Sequence, residues 1–167
     1  MGFIREAVMD KNATFDGVDF GDLPEAINAL LQAGVQAHRT DRGEADRLFR
    51  AALDADPAAL PTYLCLYKIH AYQGHLADAR TIACAGLAEA VRQAKWPADW
   101  RAWTRPDPMP DGPGRFALYT LKALAFIALR AGRVQDAEAK LAVLRDLDPQ
   151  GIVGWPVVAA LAEGVAA

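Results

Sequence analysis

Few side chains in this sequence have the chemistry of an active site, and the three histidines are the first candidates to weigh. His38 and His75 are expected at or near turns, and His70 is expected on a helix. Five positions separate His70 from His75, a spacing that does not place them on one helix face. We therefore interpret His70 as a half-buried packing residue, with metal ligation as the alternative.

The two cysteines and the acidic residues do not complete a catalytic pattern. Cys65 and Cys84 are predicted to be small buried thiols, with a redox pair across a helical hairpin as the alternative. The sequence contains no Gly-rich phosphate loop, no His-Glu-x-x-His, no Cys-x-x-Cys and no nucleophile elbow. We expect no catalytic residues, no metal site and no cofactor, so the chain is not predicted to be an enzyme.

Tryptophan is concentrated in one segment. Trp96, Trp100 and Trp103 are spaced i, i+4 and i+7 within "WPADWRAWT", which predicts one short helix with Pro97 in its first turn and three indoles on one face. The next residues, "RPDPMPDGPG", are predicted to be extended or turn-rich. The indole face has two possible locations: buried against neighbouring helices, or exposed as part of a partner-binding groove of this chain or of a dimer face.

The elements that would position these residues repeat along the chain. The stretches "RLFRAALDADP" and "AKLAVLRDLDP" both run at helical spacing into Asp-Pro, which ends a helix. Aligned on Pro57 and Pro149, the chain divides into units 26–59, 60–93 and 118–151. Each unit predicts a helix, a turn and a second helix, with a period of about 34 residues.

The second and third units share residues at fixed positions: Leu66 with Leu124, Gly74 with Gly132, and Ala79 with Ala137. This pattern resembles the tetratricopeptide repeat. The resemblance implies an all-α fold, in which antiparallel helical hairpins form one superhelical domain. Residues 1–24 and 152–167 would then cap its two ends, and residues 94–117 would form a Trp/Pro-rich insert between the second and third repeats.

The same resemblance implies a concave groove lined by the first helix of each unit. Carried over position by position, its partner-binding residues are Leu64, Lys68, Tyr72, Tyr119, Lys122, Phe126 and Arg130. Aromatic and aliphatic area beside three cations suits an extended or helical peptide with apolar anchors and an acidic group.

Composition narrows the classes of partner. The Ala-rich, bacterial-like chain has a net charge of −3 with its Arg residues scattered among Asp and Glu, so no single-sign patch stands out and nucleic acid is not expected. The start, "MGFIREAVMD", lacks a signal-peptide core, and the longest uncharged stretch, 150–162, is too short to span a bilayer. We expect no membrane partner and a cytoplasmic location.

Together these features predict a protein–protein interaction module, an adaptor or assembly factor that binds a peptide or protein segment in its groove. Two alternatives remain: a chaperone like those of type III secretion, and a structural homo-oligomer, such as a homodimer, that associates through the Trp-bearing insert.

Overall fold

The chain folds entirely into helices over the residues that the structure describes. A computed structural model describes residues 17–166, and this range contains no strand. Its seven α-helices are α1 Glu25–Ala37, α2 Arg42–Ala55, α3 Leu60–Tyr72, α4 Leu76–Ala94, α5 Gly112–Arg130, α6 Val134–Leu147 and α7 Trp155–Ala166. A short 3₁₀ helix, Trp100–Ala102, lies between α4 and α5. The all-α prediction is confirmed. Within 17–166, no helix has the length and apolarity needed to cross a membrane.

Two compact units make up the chain. The division falls between Ile69 and His70, inside α3, so that the first unit is Met1–Ile69 and the second is His70–Ala167. Of the N-terminal cap expected over 1–24, only 17–24 belong to the described residues. There Val18 is buried, and its backbone N–H donates to Oε1 of Gln32 on α1 over 2.9 Å.

In the first unit, α1 and α2 pack through a small residue facing a large one. Gly34 lies within α1, and the ring of Phe49 on α2 covers it so closely that a Cβ at Gly34 would overlap with Cε1 of Phe49. Both residues are buried. Gly34 therefore does not interrupt α1; its missing side chain is what lets the helices approach.

The second unit is built around α5, which packs against α4, α6 and α7. Gly74 ends the turn before α4 with a φ of +79°, and Gly132 ends the turn before α6 with a φ of +74°. Turns at these two positions are what the shared glycines of the sequence pattern indicate. The second sequence repeat, 60–93, lacks an Asp-Pro stop, and α4 accordingly continues to Ala94.

The predicted Asp-Pro stop at the end of α6 also orients the last helix. The buried Asp148 follows Leu147, and its carboxylate accepts the backbone N–H groups of Ile152 and Val153, each over 2.9 Å. Nε1 of Trp155 donates to the carbonyl oxygen of Asp148 over 2.6 Å. These bonds fix the turn from which α7 packs back against α5 and α6. The opposite face of α7 leaves Val157, Leu161 and Val165 exposed.

The start of α5 differs from the expectation. The segment "RPDPMPDGPG" is predicted to be extended or turn-rich up to its end, but its last three residues, Gly112, Pro113 and Gly114, form the first turn of α5. Proline is tolerated there because the N–H that it lacks would have no partner inside the helix. Gly114 leaves room for the insert, since a Cβ there would lie 3.0 Å from Cζ2 of Trp96.

Candidate functional site

Four of the expected groove residues lie along one face of α5: Tyr119, Lys122, Phe126 and Arg130, called here the α5 face. Their spacing of three, four and four residues keeps them in one stripe. Nζ of Lys122 stands 3.7 Å from the ring centroid of Tyr119, and Cζ of Arg130 stands 5.8 Å from that of Phe126. The two aromatic rings are half-buried and Arg130 is exposed.

The other three expected groove residues lie on α3 and are exposed to different degrees. Leu64 is only 3% exposed, Lys68 is half-buried, and Tyr72 is 50% exposed. Leu64 and Lys68 belong to the first unit and Tyr72 to the second. The contact of Leu64 with a partner stays a prediction, although the side chain has little exposed surface to offer. Its helix is apolar on all sides, and such a helix buries most of its residues.

The insert does not form the predicted helix. Only the single 3₁₀ turn Trp100–Ala102 is helical within "WPADWRAWT". α4 ends at Ala94, and the next residue, Lys95, takes a left-handed φ of 58° and turns the chain away from the helix axis. The carboxylate of Asp99 then accepts the backbone N–H of Arg101 over 3.0 Å and caps the short turn. Local capping and side-chain burial thus override the helical spacing of the three tryptophans.

The three indoles consequently do not share one face. Trp96 and Trp103 form a tilted, edge-to-face pair with ring centroids 5.1 Å apart. Trp103 is 7% exposed, and its Nε1 donates to the carbonyl oxygen of Pro97 over 2.8 Å. Trp96 packs on Gly114 at the start of α5. These two side chains hold the insert against its own unit, which agrees with the buried alternative.

Trp100 has a different role from the other two indoles because two cations flank it. Cζ of Arg101 stands 4.1 Å from its ring centroid, and Nζ of Lys140 on α6 stands 5.5 Å from it. The ring is half-buried. Trp100 therefore joins the insert to α6 through its cation–π contact with Lys140.

A cavity of about 390 Å³ opens beside Trp100, between the insert and α4, α5 and α6, and we call it the insert pocket. Its polar lining has four cations and one carboxylate: Arg80, Arg101, Arg133, Lys140 and Asp136. The remainder of the lining is Cys84, Leu87, Ala88, Val91, Ala98, Trp100 and Leu124. The fold thus gathers cations that are scattered in the sequence around one carboxylate.

Asp136 is the acidic centre of this pocket. Nζ of Lys140 donates to Oδ1 of Asp136, and Nη1 of Arg133 lies 3.2 Å from Oδ2. Burial by itself raises the pKa of Asp136, but the hydrogen bond from Lys140 and the charges of Lys140, Arg133 and Arg80 outweigh it, so that the pKa is lowered. Asp136 stays ionised and holds Lys140 and Arg133 in place.

The two thiols lie in contrasting environments. Cys65 is buried, as predicted, and burial raises the pKa of its thiol to about 12. Cys84 was also predicted to be buried, but it is exposed and lines the insert pocket. The prediction for Cys84 is wrong because the residue faces away from the packed stripe of α4, which runs through Ala79, Ala83 and Ala90.

The turn between α3 and α4 gathers three side chains that sequence spacing did not group. The ring centroids of His70 and His75 stand 5.7 Å apart, and one ligand atom from each of His70, His75 and Asp78 lies within 4.8 Å of the other two. The backbone N–H of His75 donates to the carbonyl oxygen of His70 over 2.9 Å. Two imidazoles and a carboxylate are a ligand set suited to Zn²⁺, so these three residues could hold a divalent metal ion.

Two helical patterns in the sequence contained the signal for the insert pocket. Arg80, Cys84 and Ala88 recur every four residues on α4, and Arg133, Asp136 and Lys140 recur at three and four residues across α6. Each pattern places its residues on one helix face. What the sequence did not reveal is that the two faces line the same cavity.

Comparison with known proteins yields no relative from which a role could be transferred: no family model, no curated protein and no solved structure matches the chain.

Proposed function

We propose that this chain is a helical-repeat protein-binding module, an adaptor or assembly factor of the tetratricopeptide type, that holds a partner segment on the α5 face. The observation that carries the proposal is the pair of cation–aromatic contacts aligned along that face, Lys122 over Tyr119 and Arg130 near Phe126.

The position of α5 supports this choice of surface. Its remaining sides pack against α4, α6 and α7, and the α5 face is the stripe that these contacts leave accessible. The stripe from Tyr119 to Arg130 extends over about three helical turns, or roughly 16 Å. That length suits a short peptide or one side of a helix.

The chemistry of the α5 face defines the partner. Half-buried aromatic rings offer a rigid apolar surface at little cost in side-chain entropy, and aromatic and Arg side chains are enriched where binding energy concentrates. The two cations stand on a chain with a net charge of −3, so they present local positive charge within an acidic protein. We infer a partner segment with an apolar anchor flanked by Asp or Glu.

The experiment is a selection of peptides from a random displayed library on the purified chain, followed by affinity measurement by fluorescence anisotropy. The bound peptides should share an apolar anchor beside acidic residues. Combining Lys122→Glu with Arg130→Glu should weaken their binding at least about tenfold, because charged contacts at a binding centre each contribute more than about 1 kcal/mol.

The matched control combines Arg42→Glu with Lys95→Glu, which reverses two exposed cations outside the α5 face and should leave affinity unchanged. Failure to select any peptide, or equal losses in the two double variants, would overturn the proposal. Light scattering on the same samples tests the homo-oligomer alternative. A dimer that dissociates on Trp100→Ala would replace peptide binding as the function.

A further inference from the structure

The insert pocket lies outside the α5 face, and partner binding makes no use of it. Its volume, about 390 Å³, falls within the range of small-molecule sites, which is roughly 300 to 1,000 Å³. Side chains from α4, α5, α6, the turn before α6 and the insert surround it. A cavity that draws on so many elements is a formed feature of this unit rather than a dent in one helix.

Charge within the insert pocket is unbalanced. Arg80, Arg133 and Lys140 share one carboxylate, Asp136, whose pKa all three lower. The fourth cation, Arg101, lies 3.4 Å from the exposed Asp99, which is not part of the lining. Even with that pair neutralised, the described lining of the pocket holds two more positive than negative charges, on a protein whose net charge is −3.

The lysine of the insert pocket differs from a solvated surface lysine. Lys140 is only 8% exposed, and it is held between Asp136 and the ring of Trp100. A cation fixed in a partly dry site interacts more strongly with an anion than one in bulk water, because the local dielectric constant is lower. Its position is set before any ligand arrives, which lowers the entropic cost of binding.

The rest of the pocket is apolar. Leu87, Val91 and Leu124 line it, and the half-buried Trp100 adds an aromatic surface. This lining gives a free inorganic ion little to contact beyond the charges. It favours a molecule that buries an apolar body while its anionic end meets the cations.

We propose that the insert pocket binds a small organic oxyanion, a carboxylate or phosphate carried on an apolar or aromatic body. The oxyanion lies among Arg80, Arg133 and Lys140, and the apolar body lies against Trp100 and Leu87. The insert thus forms one wall of a ligand site in addition to packing on its own unit.

Cys84 provides a direct reporter, because it is exposed and lines the pocket. The uncharged reagent N-ethylmaleimide should alkylate it in the folded chain. The other thiol, Cys65, is buried with a pKa of about 12, so it should stay unmodified until the protein unfolds. Mass spectrometry of the intact chain measures the rate, and Cys84→Ser establishes that the signal comes from this residue.

Four probes test separately whether the pocket recognises the anionic group and the apolar body of the ligand: phenyl phosphate, phenylacetate, inorganic phosphate and benzyl alcohol. Phenyl phosphate or phenylacetate should slow alkylation of Cys84 in a saturable way, and the one that acts at lower concentration identifies the anionic group. Inorganic phosphate and benzyl alcohol each lack half of the required chemistry and should protect much less.

Variants test whether the pocket cations cause the protection. Combining Arg80→Gln with Arg133→Gln should raise the protecting concentration at least about tenfold, since a hydrogen bond to a charged group contributes about 1.5 to 3 kcal/mol. Each variant is compared with itself without probe, so a change in intrinsic thiol reactivity cancels. Arg92→Gln, an exposed cation on the same helix outside the lining, is the matched control.

The proposal is overturned if none of the probes protects Cys84 at millimolar concentration, or if the double variant is protected as well as the parent chain. The charge reversals on the α5 face should leave protection intact. Their result therefore distinguishes failure of this site from failure of the peptide-binding proposal.

Discussion

The crossing of α1 and α2 contrasts with the space enclosed by α4, α5 and α6. At the first, Gly34 and Phe49 close the contact completely, so the pair contributes packing. At the second, long cationic side chains and a half-buried Trp100 line a cavity of about 390 Å³. Taking charged side chains out of water costs free energy, so these residues form a dry contact less readily than Gly34 and Phe49 do. The first region therefore serves stability, and the second is accessible to a ligand.

The largest effect on stability should come from removing the Phe49 ring that fills the contact between α1 and α2. Phe49→Ala removes a fully buried ring from α2 and should lower the free energy of unfolding by about 3–5 kcal/mol. Urea denaturation measures the change. The neighbouring Arg50→Ala removes a surface ion pair with Asp46 and should cost about 1 kcal/mol or less. A loss of under 1 kcal/mol for Phe49→Ala would contradict the claim that the contact between α1 and α2 serves stability.

A smaller effect should follow from overfilling the same contact. Gly34→Ala gains helix propensity but places a methyl group against the Phe49 ring, so we expect a net loss of about 1–3 kcal/mol in the free energy of unfolding. Phe49→Leu in the Gly34→Ala background should recover part of that loss, since it removes ring atoms from the clash. Simple additivity in the double-mutant cycle would show that the two residues are not coupled.

The smallest effect concerns charge in the insert pocket. Because the folded-state pKa of Asp136 lies below its ordinary value of 3.8, its ionised form stabilises the fold above that pH, and the contribution is lost as pH falls through the lowered pKa. The parent chain should therefore lose more stability than Asp136→Asn between neutral pH and the acid limit. Thermal melts at a series of pH values measure this, and melting temperatures that fall equally with pH in the parent chain and in Asp136→Asn would contradict the expectation.

Helix boundaries were predictable where single residues decide them. Gly74 and Gly132 supply left-handed turns, and Pro149 cannot continue a helix, so these ends depend on local backbone chemistry. The insert was not predictable in this way. Its tryptophans match a helical period, but the pairing of Trp96 with Trp103 and the hydrogen bond of Trp103 to Pro97 stabilise an irregular path. Contacts of that kind depend on tertiary structure, which spacing along the chain does not encode.

The candidate sites were likewise predictable within one helix but not between separate elements. The α5 face followed from residue positions on one helix, and its four side chains do lie in one stripe. The insert pocket is lined by Arg80 from α4, Arg101 from the insert and Lys140 from α6. In the sequence each of them is an ordinary charged residue on a solvated face. Only the packing of the helices brings their charges to one cavity.

The Trp96–Trp103 pair has a spectroscopic consequence. Two indoles held in a fixed, tilted geometry with centroids 5.1 Å apart couple their electronic transitions and produce an exciton couplet in circular dichroism. The peptide groups of the helices contribute exciton bands of their own, so the indole couplet is read as the difference between the spectra of the parent chain and Trp103→Phe. The insert therefore carries its own optical signature, and its melting can be followed separately from the loss of helix in the same thermal scan.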